Sequence, residues 1–114
     1  MEINNAQLLG QSRPSTSSAV SIYGPADRTK ALIFGINIAN TTSSSATYRL
    51  FIDADGTTYD QSTTLAYDVN LAANSQILLE YRDGLPIENP GNFAVRVGTN
   101  SALTFTVYGL EVTL

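Results

Sequence analysis

Strict alternation of apolar and polar side chains restricts the fold of this chain more than any other feature. In "KALIFGINIAN", residues 30–40, Leu32, Phe34, Ile36 and Ile38 share one parity while Ile33, Gly35 and Asn37 share the other. "ATYRLFID" repeats the pattern with Tyr48, Leu50 and Ile52 against Arg49 and Phe51, and "SQILLEYR" repeats it with Ile77, Leu79 and Tyr81. "NFAVRVGT" sets Phe93, Val95 and Val97 opposite Ala94 and Arg96. Side chains alternate between the two faces of a strand, so a period of two predicts half-buried antiparallel strands. No window carries the spacing of three and four residues that an amphipathic helix needs. Weaker strands are expected in "SAVSIYG", with Val20 and Ile22 inward, and in "TTLAYDV", with Leu65 and Tyr67 inward. The last run, "ALTFTVYGLEV", changes phase, because Leu103, Phe105 and Val107 have one parity and Tyr108, Leu110 and Val112 the other. A bulge near Gly109, or burial on both faces, would account for it.

Turn-formers punctuate these runs in "GPADRT", "NTTSSS", "DADG", "LAANS", "DGLPIENPGN" and "GTNS". Short strands separated by such turns at intervals of about 8 to 12 residues are the pattern of sandwiches and barrels. The expected fold is all-β: an antiparallel β-sandwich, jelly-roll or Greek-key-like, with an open barrel as the competing architecture. A chain of 114 residues accommodates one such domain, placed at residues 17–114. Residues 1–16 contain, besides Met1, only Ile3, Leu8 and Leu9 as large apolar anchors, and are expected to form an extended N-terminal arm. Pro14 would be its hinge, since proline fixes φ and biases the preceding residue toward an extended conformation. The loop "DGLPIENPGN" is the one connection long enough to carry a local function.

What the chain lacks removes whole classes of chemistry. It has no Cys and no His, which excludes thiol nucleophiles, disulfides, Cys/His zinc sites and imidazole acid–base catalysis. Ser43, Ser44 and Ser45 have no base to activate them. Lys30, the only lysine, stands at the mouth of an apolar strand, where snorkelling or edge protection is its expected use. A formal net charge of −4 gives no field for phosphate, so nucleic acid is not an expected partner. No apolar run approaches the roughly 20 residues that cross a bilayer, and the N-terminus lacks a basic start followed by an apolar core. No membrane contact is expected, and synthesis is expected in a cytoplasm.

Two chemistries are open in principle to a chain with these carboxylates, metal binding and glycoside hydrolysis. "DADGTTYD" places Asp53 and Asp55 as the first and third ligands of a calcium loop, but Gly56 then falls fourth instead of sixth, and Thr64 stands where a bidentate Glu belongs. Asp55-Gly56 between alternating runs is instead a hairpin signal, since the tightest turns need positive φ. Asp53, Asp60, Asp68, Glu80, Asp83 and Glu88 fall at turns or on the polar parity of their strands, as solvated carboxylates do. No enzyme, metal or cofactor is expected. Six tyrosines, at positions 23, 48, 59, 67, 81 and 108, could line a sugar-binding face, but tyrosine is also a favoured strand and packing residue.

The segments "SIYGPAD", "NTTSSSATYRLFIDADGTTYD", "LAAN" before a strand, and the closing "NFAVR" and "ALTFTVYG" resemble a group of small virion structural proteins of tailed bacteriophages, over most of the chain from Ser12 to Val112. The resemblance implies a non-enzymatic role as a capsid decoration (cement) protein on the exterior of the head. Its partners would be the major capsid protein and further copies of itself, as a trimer or alternatively a dimer. On that reading Ile3, Leu8, Leu9, Arg13 and Pro14 are the expected capsid contacts, and Asp55 and Gly56 form a structural turn. A head-tail or tail accessory protein, or a carbohydrate-binding module of the virion, are the alternatives.

Overall fold

A computed structural model describes residues 6–114. Eight strands run through it: β1 (Gln7–Ser12), β2 (Val20–Tyr23), β3 (Thr29–Asn40), β4 (Ala46–Asp53), β5 (Thr64–Leu71), β6 (Ser75–Glu88), β7 (Asn92–Val97) and β8 (Leu103–Thr113). They form two antiparallel four-stranded sheets, sheet A in the order β1-β8-β3-β6 and sheet B in the order β2-β7-β4-β5. The chain is all-β, and no helix among the described residues is long and apolar enough to cross a membrane.

The inner faces of the sheets meet in one core. Ile33, Ile36, Ile38, Leu103, Phe105 and Val107 come from sheet A, and Tyr48, Leu50, Phe93, Val95 and Val97 from sheet B. Tyr48 and Phe105 join the sheets edge to face, with centroids 6.4 Å apart and planes at 77°, a geometry in which a positive ring edge meets a negative ring face. Asn40 is the one buried polar side chain among the described residues. It caps the core by binding the backbone of the turns after β3 and after β5.

Alternation placed the strands but not all of their faces. Leu32, Phe34, Ile36 and Ile38 were expected on one face. Instead the register of β3 slips between Ile33 and Gly35 against both neighbours. Ala31 and Ile33 therefore face inward before the slip and Ile36 and Ile38 after it, which leaves Leu32 and Phe34 outside. The irregularity anticipated at Gly109 belongs to β3, its neighbour, and β8 keeps one phase from Leu103 through Gly109. Gly109 is required because a Cβ there would lie 2.0 Å from the Leu32 carbonyl oxygen. On the other side of β3, Ile33 opposes Leu85 and Gly35 opposes Glu80, so Tyr81–Gly84 bulge out of β6, with Gly84 at φ +81.

Three further segments differ from expectation. Gln7–Ser12, expected within an arm, is a sheet strand paired to β8. Leu9 packs against the core, and side-chain bonds run from Gln7 to Glu111 (2.8 Å) and from Gln11 to Thr106 (2.9 Å). Main-chain pairing orders this segment, and apolar patterning does not register main-chain pairing. The first half of "DGLPIENPGN" is also strand: Leu85 packs on the core and Ile87 is buried. Pro86 is tolerated there because β6 is an edge strand. Tyr67 points outward instead of inward, because β5 slips against β4 between the Tyr48–Val69 and Leu50–Ala66 pairs.

Candidate functional site

Of the expected contact residues, Ile3 lies outside the described residues. Pro14 is buried and its carbonyl accepts a hydrogen bond from the Ser101 N–H at 2.8 Å, while the Arg13 Nε donates to the Ser101 carbonyl at 2.8 Å. These two residues fasten the exit of β1 to the β7–β8 loop. Leu9 belongs to the core periphery. Leu8 alone stands free, 61% exposed, opposite Tyr108 on the outer face of sheet A.

That outer face is the candidate site. Registered across it are Leu8 and Tyr108 on β1 and β8, Leu32 and Leu110 on β3 and β8, and Pro86 on β6 beside Leu32. Val112 continues the row, and Phe34 adds its ring at the slip in β3. The Tyr108 ring lies across Gly35, where a Cβ would come within 2.3 Å of it, so the aromatic side chain fills the space that the glycine leaves. None of Leu32, Phe34, Tyr108 or Leu110 is buried, although all are large and apolar. Toward the other end the same face carries the polar side chains Asn37, Thr104, Thr106 and Gln11, with Leu78 opposite Asn37 at the β6 edge. The signal for this surface was already in the sequence, as the second parity of "TVYGLEV"; it reports a second apolar face on β8.

Sheet B has a different exterior. Residues 54–63 fold over it, and Tyr59 covers the buried Phe51 with ring centroids 6.1 Å apart. Asp55-Gly56 therefore belongs to a long loop instead of a two-residue hairpin, although Gly56 has the positive φ, +72, that its type suggested. The loop's carboxylates are occupied by its own donors. Asp53 accepts from the N–H groups of Thr57 (2.9 Å) and Thr58 (2.7 Å), Asp55 from Thr57, and Asp60 from Ser62. The Ser62 hydroxyl and N–H hold the Asp60 carboxyl below the usual carboxylate range. Among the described residues no three His, Cys, Asp or Glu side chains are grouped to hold a metal ion.

Beside this loop, Arg49 and Arg96 oppose each other across β4 and β7. Arg49 forms a two-bonded ion pair with Asp68 (2.6 and 3.1 Å) and lies 3.9 Å from the centre of the Tyr67 ring. The Arg49 guanidinium holds the Asp68 carboxyl below its ordinary value. A recess of about 270 Å³ opens here, lined by Arg49, Asp68, Arg96, Thr47 and Ser17. A second recess of about 410 Å³, at the end of the sandwich, brings together Lys30, Asp53 and Glu88 with Ile52, Pro86 and Ile87. This pairs two of the acids considered above, but Asp53 is already engaged by the loop backbone.

The six tyrosines do not share a face. Tyr23 and Tyr48 are in the core, and Tyr23 donates to Glu111 at 2.5 Å, where burial first and that carboxylate second push its phenol far above the usual range. Tyr59 covers Phe51, Tyr67 stands outside sheet B, Tyr81 packs on the core rim, and Tyr108 stands outside sheet A. Comparison with protein-family models and with curated proteins finds no match to the chain.

Proposed function

We propose that this chain is a bacteriophage capsid cement protein, made in the host cytoplasm and assembled on the exterior of the head, where it bridges neighbouring major capsid proteins. The observation that carries the reading is the apolar outer face of sheet A, formed by Leu8, Leu32, Phe34, Tyr108, Leu110 and Val112. A sheet face of this kind is a docking surface for protein, since contiguous apolar patches on a chain with few charges are covered by partners. The resemblance of the strand and turn segments to small virion proteins supplies the partner. A subunit that binds only the assembled lattice stabilises it by mass action, and repeated contacts add avidity. The nested pairings β1–β8, β2–β7, β3–β6 and β4–β5 support the finer assignment of the sandwich as a jelly roll, a long antiparallel hairpin rolled into two sheets.

Heads assembled without the chain provide the test. Added wild-type protein should co-sediment with them and raise the temperature at which they disrupt, whereas folded Leu110→Asp should remain in the supernatant. Binding of Leu110→Asp equal to wild type would remove the sheet A face from the interface and the reading with it. Copy number separates cement from a head-tail accessory: hundreds per particle for a shell, about a dozen or fewer for a ring. The recess beside exposed Tyr67, with Arg49, Asp68 and Arg96, favours one second reading, a carbohydrate-binding module of the virion. Glycan binding abolished by Tyr67→Ala would support that alternative.

A further inference from the structure

Four strands are sheet edges among the described residues: β1 and β6 in sheet A, β2 and β5 in sheet B. A free edge offers unpaired N–H and C=O groups to any other strand, and soluble proteins interrupt such edges with bulges, prolines, charges or shortness. Three of the four are interrupted in this way. β1 slips between Leu8 and Gly10, β2 spans only four residues with a slip after Ser21, and β5 slips twice and carries Asp68 at φ +52. The second half of β6 is protected likewise, by the Tyr81–Gly84 bulge with Arg82 and Asp83 and by Pro86.

The first half of β6 is not protected. Ser75–Glu80 opposes Asn40–Gly35 residue for residue with no slip, and its only charge is Glu80 at the end. It is also apolar on both faces. Ile77, registered with core residue Ile38, points inward yet is 36% exposed, and Leu78 points outward and is 44% exposed. On β5, Val69 is registered with core residue Tyr48 and is 37% exposed, so the core is open along this side of the sandwich.

We propose that this edge pairs with itself, β6 of one copy running antiparallel to β6 of a second copy about a two-fold axis at Leu78, so that the two A sheets become one continuous sheet. The strand is complementary to its own reverse in that register. Leu78 meets the second copy's Leu78 on the outer face, Ile77 meets Leu79 on the inner face, and the Gln76 amide meets the Glu80 carboxylate at both ends. Shifting the axis to Ile77 would set Gln76 against Leu78 and Ser75 against Leu79, polar against apolar. An isologous contact repeats each favourable pair twice and closes at two copies. Two chains of net charge −4 repel, and this neutral stretch of edge is where they can approach.

Sedimentation of the isolated full chain tests the inference independently of the capsid reading. Wild type should be a concentration-dependent dimer, and Leu78→Lys, which sets two ammonium groups together at the axis, should weaken it about a hundredfold while the circular dichroism stays that of the folded chain. Leu8→Lys, on the same sheet but at the far edge, should leave the dimer intact. If Leu78→Lys misfolds, the register is read from Gln76 instead: Gln76→Lys faces Glu80 and should tighten the dimer a few-fold, and Gln76→Glu should loosen it. A wild-type monomer, a trimer, or a dimer indifferent to both the Leu78 and the Gln76 changes would overturn the proposal; a monomer would leave the edge to a strand of another protein.

Discussion

Replacing Asn40 with alanine should be among the most damaging single changes in the chain, because one side chain holds two turns against the end of the core. Asn40 is 2% exposed. Its Nδ2 donates toward the carbonyls of Ser44 (2.9 Å), Leu71 (3.2 Å) and Ala72 (3.2 Å), while its Oδ1 accepts from the N–H (3.0 Å) and hydroxyl (2.7 Å) of Thr42. The Leu71 carbonyl contact is fully buried, and stripping a buried acceptor costs about 1–3 kcal/mol. The remaining contacts are partly wetted, so water recovers most of their value and together they add about 1 kcal/mol. The expected loss is about 3 kcal/mol, a large share of a domain stability of roughly 5–15 kcal/mol. For a chain of this size that corresponds to a fall in Tm of roughly 12 °C. Urea and thermal unfolding followed by circular dichroism would measure it. Asn40→Asp is the discriminating partner. It keeps the acceptor for Thr42 but turns a carboxylate oxygen toward three carbonyls, so at neutral pH it should be at least as destabilising as alanine. An alanine variant within about 1 kcal/mol of wild type, or an aspartate variant as stable as wild type, would refute the assignment of Asn40 as the cap of the core.

Removing residues 1–12 should lower the melting temperature by several degrees or more, because it strips β1 from β8 and Leu9 from the core periphery; an unchanged melt would restore this segment to the status of a free arm. Gly56→Val should cost about 2 kcal/mol or more, since Gly56 has φ +72 and a Cβ there would lie 2.5 Å from the Pro90 carbonyl oxygen; chemical denaturation at wild-type stability would contradict this. Stability should fall at both pH extremes. Asp68 has a folded pKa below its unfolded value, so its contribution is present above about pH 4 and is lost as pH falls through the folded value. Tyr23 has a raised folded pKa, so its contribution holds below about pH 10 and is lost as the unfolded phenol ionises above it. Arg49→Gln should flatten the acid limb and Tyr23→Phe the alkaline limb in melts across pH; unchanged limbs would show that other groups govern them.

Seven of the eight strands were legible because burial on one face leaves a period of two in the sequence, as at Tyr48, Leu50 and Ile52 or Phe93, Val95 and Val97. β1 was missed for a physical reason: an edge strand bonded to β8 by its backbone sends little more than Leu9 into the core, and hydrogen bonding of the main chain leaves no mark in side-chain pattern. The second half of β6 was missed because Gly84 and Pro86 are turn-formers in general, yet are compatible with a bulged edge strand. The candidate surface was half legible. The second parity of Tyr108, Leu110 and Val112 announced an apolar outer face, but Leu8, Leu32 and Phe34 join it only through pairings remote in sequence.

The sequence by itself determined that the chain is built of antiparallel strands, where most of them lie, which side chains have an apolar face to bury, and that no thiol or imidazole chemistry is open to it. These are properties of residues and their near neighbours. Only the tertiary structure decided which strands pair, where β3 slips and so exchanges the faces of Leu32 and Ile36, and that the first half of β6, paired to β3 on one side, has no strand among the described residues on the other. Register and edge status are set by partners far along the chain, and a one-residue slip turns every later side chain to the opposite face, so a local pattern fixes them only after the whole sandwich has closed.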